Sequence, residues 1–168
     1  MELHIKAKIM TVHQKMDVLD VDENPVYHVG SKMISITDKT DVVKADGTFV
    51  AHIHRKPVSI HDVYYVEMAD GAEFELREEL LHMSDHIDID ALGWKLVGHF
   101  PGFNYELFGA DGSLIARAHV KVASIHQIYY IDVIDEAHAD EIVCLFVILH
   151  HIVSQRGASA AAASSSSN

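Results

Sequence analysis

Along most of the chain, apolar and polar residues alternate with a period of two, the pattern of strands with one buried face. Leu3, Ile5, Ala7 and Ile9 fall on one side, and His4, Lys6 and Lys8 on the other. Phe49, Ala51 and Ile53 oppose Val50, His52, His54 and Lys56; Leu114, Ala116, Ala118 and Val120 oppose Ile115, Arg117, His119 and Lys121. The first set in each case is expected to point inward. The period breaks down in AHADEIVCLFVILHHIVSQ (137–155). Ile142 to Leu149 are all apolar, His150 and His151 interrupt the run, and Ile152 and Val153 resume it. A helix apolar on every side is either buried or in a membrane, and this run is shorter than the ~20 apolar residues that a bilayer requires. The pattern therefore predicts a helix over 137–155 enclosed by the preceding strands, and no transmembrane segment. Asp135 suits its N-cap, Glu136, Asp140 and Glu141 suit the positive end of its dipole, and Arg156 and Gly157 suit its C-terminus.

An internal repeat organises the strands. At an offset of 24, Lys8, Lys32 and Lys56 correspond, as do Val18, Val42 and Val66, and Asp22, Asp46 and Asp70. At an offset of 65, DGTFVAHIHRKPVSIHDVYYVEM (46–68) matches DGSLIARAHVKVASIHQIYYIDV (111–133) at ten of twenty-three positions. Asp46-Gly47, Asp70-Gly71 and Asp111-Gly112 are tight-turn signals. Two strands per unit give an antiparallel meander of twelve strands, from 2–9 through 127–134, and a sheet of that size curls or closes. Small inward residues such as Ala51, Ala116 and Ala118 leave room for a central helix.

At 168 residues one domain is expected. The formal charge is −12, and it is uneven: residues 1–60 carry eight basic and eight acidic side chains, residues 61–168 five and seventeen. Such a balance repels phosphate backbones and argues against nucleic-acid binding. The lone Cys144 lies in the apolar run, as a buried small hydrophobe. The first residues, MELHIKAKIM, have no long apolar core of a signal sequence, so the expected location is cytoplasmic, peripheral at a membrane at most. Fourteen histidines would shift the formal charge from −12 to +2 if all were protonated, so acid should alter this protein more than most.

Candidate chemistry is sparse. Ser59, His61 and Asp62, with Ser124 and His126 in the second copy, fall in hairpin connections where such residues are ordinary turn formers, and a triad is defined by geometry instead of sequence proximity. His52 and His54 share a strand face, but zinc needs three or four converging ligands; neither a metal nor another cofactor is expected. No Gly-rich loop opens a helix. The recurrent lysines remain. Lys8, Lys32, Lys56 and Lys121, with His54 and His119 beside the last two, are expected at similar heights as an outward cationic collar. Hairpins symmetric about their connections would set Lys8 against Asp17, Lys32 against Asp41, Lys56 against Tyr65 and Lys121 against Tyr130.

The repeated strand pairs, LGWKLVGHF (92–100) followed by NYELF (104–108), DGSLIARAHVK, YYIDV (129–133) and the terminal acidic-then-apolar helix together resemble the LURF-one-related proteins of the tubby C-terminal-like superfamily. The resemblance spans roughly residues 1–155. It implies a mainly β fold: a twelve-stranded antiparallel closed β-barrel around a central hydrophobic C-terminal α-helix. The expected organisation is a barrel domain over 1–156 and a disordered Ala/Ser-rich tail over 157–168. The expected function is a non-enzymatic binding or scaffolding module with an uncharacterised partner, a protein or an anionic lipid. The alternatives are a peripheral anionic-lipid or phosphoinositide-type binder, or a phospholipid scramblase-like protein, by analogy with relatives in the superfamily.

Overall fold

The computed structural model describes residues 1–6, 16–30, 39–58, 61–78, 86–99, 103–123 and 126–165. Twelve strands follow in order: β1 (Glu2–Lys6), β2 (Met16–Leu19), β3 (Pro25–Val29), β4 (Lys39–Lys44), β5 (Phe49–Val58), β6 (His61–Met68), β7 (Glu73–Arg77), β8 (His86–Ile89), β9 (Trp94–His99), β10 (Asn104–Phe108), β11 (Leu114–Ala123) and β12 (His126–Val133). A 3₁₀ turn (Glu136–His138) leads into one helix, α1 (Ala139–Ser165).

All pairings are antiparallel, and each strand pairs with its neighbour in sequence except across one seam. The first and last strands join, Leu3 opposite Ile131 and Ile5 opposite Tyr129. The seam falls between β7 and β8, whose Cα atoms approach within 8 Å without a ladder among the described residues. The result is a nearly closed barrel.

Turn chemistry fixes the hairpins at one end. In the Asp-Gly turns the Asp carboxylate accepts from the backbone N–H two residues on: Asp46 from Thr48 at 2.9 Å, Asp70 from Ala72 at 2.9 Å, Asp111 from Ser113 at 2.8 Å. Gly47, Gly71 and Gly112 take φ of 88°, 90° and 80°, a region where a side chain is strained. The β2–β3 turn uses Glu23 at φ 67° instead, braced by Asp20, which accepts from the N–H groups of Asp22 and Asn24.

Each of three such turns is followed by a β-bulge at repeat-equivalent residues: Val26, Val50 and Ile115 are the extra residues, left between Val18/Leu19, Val42/Val43 and Leu107/Phe108 of the partner strands. Their carbonyls accept from Ala45, Ala69 and Ile134, at 2.9, 2.8 and 2.9 Å. A bulge shifts the alternation by one residue. This corrects the faces expected at two strand starts: Val50 and Ile115 are buried while Phe49 is 38% exposed, and the expected alternation resumes at Ala51 and Ala116. Ala7 and Ile9 lie outside the described residues.

The helix fills the barrel. Every residue from Ile142 to His150 is buried, as is Ile152. Ala51, Ala116 and Ala118 line the wall with small side chains, and Phe146 packs on Phe103 at 5.5 Å between ring centroids. The segment Glu136–Gln155 is in fact long and apolar enough to cross a membrane, with a mean hydropathy of 1.4. Core helices pass the same test, and here the apolar surface is buried against the barrel wall. Asp135 caps the 3₁₀ turn, accepting from Ala137 N–H at 3.1 Å, so the α-helix proper starts at Ala139 instead of 137. The helix also does not stop at Gly157. It continues to Ser165, through an Ala-rich stretch whose helix propensity outweighs one glycine.

Candidate functional site

β5 and β11 end, and β6 and β12 begin, at the end of the barrel toward which the second half of α1 runs, where His151 meets Tyr64 and His150 meets Tyr129. The described part of the expected collar lies there. Lys56 and Lys121 are exposed near the ends of β5 and β11. Lys8 and Lys32 lie outside the described residues. The register differs from the expectation: Lys56 is opposite Val63 and Lys121 opposite Ile128, while the histidines face the tyrosines, His54 opposite Tyr65 and His119 opposite Tyr130. Each hairpin turns one residue earlier than the expected pairing requires, because the ladders run on to Val58↔His61 and Ala123↔His126. His54 stacks on Tyr65 (5.1 Å, 15°) and His119 on Tyr130 (5.2 Å, 9°). Lys121 still reaches Tyr130 diagonally, its Nζ 4.4 Å from the ring centroid, a cation–π contact. The two described parts of the collar, His54–Lys56 and His119–Lys121, sit on strands six apart in either direction around the barrel. They do not converge on one small ligand.

Inside this end, two side chains of the helix meet two repeat-equivalent tyrosines. His150 is 8% exposed and edge-on to Tyr129 (4.6 Å, 83°); His151 is edge-on to Tyr64 (6.0 Å, 74°). The Tyr-Tyr dipeptide of each repeat copy splits its pair, Tyr64 and Tyr129 turned in, Tyr65 and Tyr130 turned out. Ser154 Oγ lies 3.4 Å from His150 Nε2, and Gln155 Nε2 donates to His151 Nε2 at 2.8 Å. Arg55 forms an ion pair with Asp62 at 3.0 Å, its side chain only 15% exposed. The Asp62 N–H in turn donates to Glu78 Oε2 at 3.2 Å. Asp62, a candidate acid by sequence proximity, is thus held by an arginine; Ser59 and Ser124 lie outside the described residues. Burial lowers the pKa of both histidines to about 4, helped by their mutual repulsion at His150 and by Arg55 at His151, with Glu78 opposing. Burial pushes the Tyr64 and Tyr129 phenols up. The tyrosines and Arg55 escaped the sequence reading, although the twin Tyr-Tyr dipeptides marked the place.

The other end of the helix is held by charge. Asp140 accepts from the Tyr27 hydroxyl at 2.8 Å and pairs with Lys44 at 2.9 Å. The Met1 amino group donates to the Val133 carbonyl at 2.6 Å and pairs with Glu136 at 3.0 Å.

Cavities divide sharply between inside and outside. Within the barrel a space of about 10 Å³ remains among Leu107, Ile131, Leu145 and Phe146, room for about one water. On the outer face a groove of about 360 Å³ crosses β9 to β12, with Asn104, Glu106, Arg117, His119 and Asp132 on its walls and Gly98 in its floor. Gly98 is required there, because a Cβ would collide with the Asn104 carbonyl oxygen and the Tyr105 backbone. Arg117 pairs with Glu106 at 2.9 Å, the repeat equivalent of Asp17–His28 (2.7 Å) and Asp41–His52 (2.5 Å). Among the described residues, no three His, Cys, Asp or Glu side chains gather to hold a metal ion.

A family model described as LURP-one-related matches residues 1–150. The X-ray structure of a protein from Arabidopsis thaliana is similar over 90% of this chain and 91% of that chain, with a TM-score of 0.53 at 14% identity; that likeness speaks for the fold. No curated protein matches the chain in sequence.

Proposed function

The chain belongs to the LURP-one-related family, and from that premise we propose that it is a non-enzymatic, cytoplasmic binding or scaffolding module that holds a protein partner on the outer face of its barrel. The contrast between a filled interior and an outer groove of about 360 Å³ carries this reading. Small-molecule sites enclose their ligand in ~300–1,000 Å³, and the interior space lined by Leu107, Ile131, Leu145 and Phe146 is about 10 Å³. The groove offers donors and acceptors on adjacent strands to an extended or side-chain ligand. The test is copurification from native cells. A companion held by the parent chain should be lost with Arg117→Glu combined with His119→Asp, and kept with Lys56→Glu on the opposite wall. A companion kept equally by both variants, or none at all, overturns the reading.

The exposure of Lys56 and Lys121 at one end of the barrel favours a second reading, a peripheral binder of anionic lipid. Cations spread around one end would meet a flat surface end-on. The expected outcome is no binding to phosphatidylserine vesicles near pH 7.5 and weak, salt-sensitive binding near pH 5.5, reduced by Lys56→Glu with His54→Gln. Tight binding near pH 7.5 at about 0.15 M salt would put this reading first.

A further inference from the structure

We propose that His150 and His151 form an acid-sensitive latch, which holds the second half of the buried helix between the Tyr64 and Tyr129 walls and releases it when the imidazoles take up protons. The geometry favours neutral rings. His151 lies edge-on to Tyr64 and faces the Arg55 guanidinium, itself only 15% exposed, with Gln155 Nε2 at 2.8 Å from its Nε2. His150 is nine-tenths buried against the Tyr129 ring. The groups facing the pair are Arg55 from β5, Asp62 and Tyr64 from β6, Glu78 just past β7, Tyr129 from β12, and Ser154 and Gln155 from the helix itself. Asp62 is engaged by Arg55, and Arg55 itself repels a charged His151, while among the described residues Glu78 opposes that repulsion. The helix dipole offers little help, because α1 runs on to Ser165 and leaves the histidines in mid-helix.

The linkage sign follows. With folded pKa values of about 4 against 6.5 when released, the latch is at full strength above pH 6.5 and weakens as pH falls from 6.5 toward 4. Near pH 5 each released imidazole favours opening ~30-fold, so the pair shifts the equilibrium on the order of several hundred-fold from its value near pH 7.5. Release would bare Ile148, Leu149 and Ile152 at the same end as Lys56 and Lys121.

Amide hydrogen exchange on the full chain, corrected for intrinsic rates, tests this. The opening constant of amides 148–155 is expected to rise several hundred-fold between pH 7.5 and pH 5, with that of amides 142–145 rising less than tenfold. His151→Gln should cut the rise to about thirtyfold, and His150→Gln with His151→Gln should abolish it. If the double variant does not fold, the single variant and the position dependence within the parent still decide. A flat profile in the parent, an equal rise in His151→Gln, or a rise shared by the barrel strands overturns the latch.

Discussion

At its N-terminal end the buried helix is held by charge, and at its C-terminal end by neutral rings. Asp140 binds Tyr27 and Lys44, and Glu136 binds the Met1 amino group, at a rim where solvent is close and the carboxylates suit the helix dipole. Further along the same helix, His151 meets Tyr64 and His150 meets Tyr129 where water is largely excluded. One end tolerates ions because they are paired and partly exposed; the other keeps its two histidines uncharged because burial penalises their charged form. On the acid side, then, the helix is sensitive at its C-terminal end.

The largest effect is expected between the two ends. Leu145→Asp would bury an unpaired carboxyl group in place of a packed leucine, a loss of several kcal/mol against the roughly 5–15 kcal/mol that holds a domain together, so both anchors should fail together. Circular dichroism should show no cooperative melt; a Tm within a few degrees of the parent would mean that the helix is peripheral.

Alkali should erase the difference between the ends. Tyr27 at one end and Tyr64 and Tyr129 at the other have folded pKa values raised by burial, as has Tyr105 in the wall. Their contribution is full below pH 10 and is lost as pH rises past it, on the order of 1.4 kcal/mol per buried phenol per pH unit. Thermal melts at pH 9, 10 and 11 should show a Tm drop that steepens above 10, and Tyr27→Phe should recover part of it.

Asp140→Ala should weaken the charged end alone. It strands the Tyr27 hydroxyl and Lys44, at a cost of ~1–3 kcal/mol. Hydrogen exchange should speed up at residues 139–143 before 148–155; the reverse order would mean that the histidine end is the weaker anchor at neutral pH.

The smallest effect is expected beyond the latch. Truncation after Gly157 removes residues 158–168 but keeps His150, His151 and Gln155. Stability should stay within about 0.5 kcal/mol, as read from urea unfolding. A larger loss would show that the helix extension past Gln155 is a third anchor.

Much of this architecture was legible in the residues. Period-two alternation, Asp-Gly turns and the 24- and 65-residue repeats define a twelve-stranded meander, because side-chain direction in a strand is a local consequence of the pleat. The all-apolar run from Ile142 to Leu149 marks the buried helix, since a helix without a polar face has to be enclosed. Tertiary structure alone decided where the alternation slips, because the bulges at Val50 and Ile115 form only when a partner strand is one residue short. It set the hairpin register that stacks His54 on Tyr65 and His119 on Tyr130 and moves the lysines to the diagonal. It also gave the paired histidines their character. In sequence His150 and His151 are two of fourteen; their suppressed charge comes from the Tyr64, Tyr129 and Arg55 side chains that the closing of the barrel brings around them. Desolvation is a property of the packed surroundings, and no local pattern encodes it.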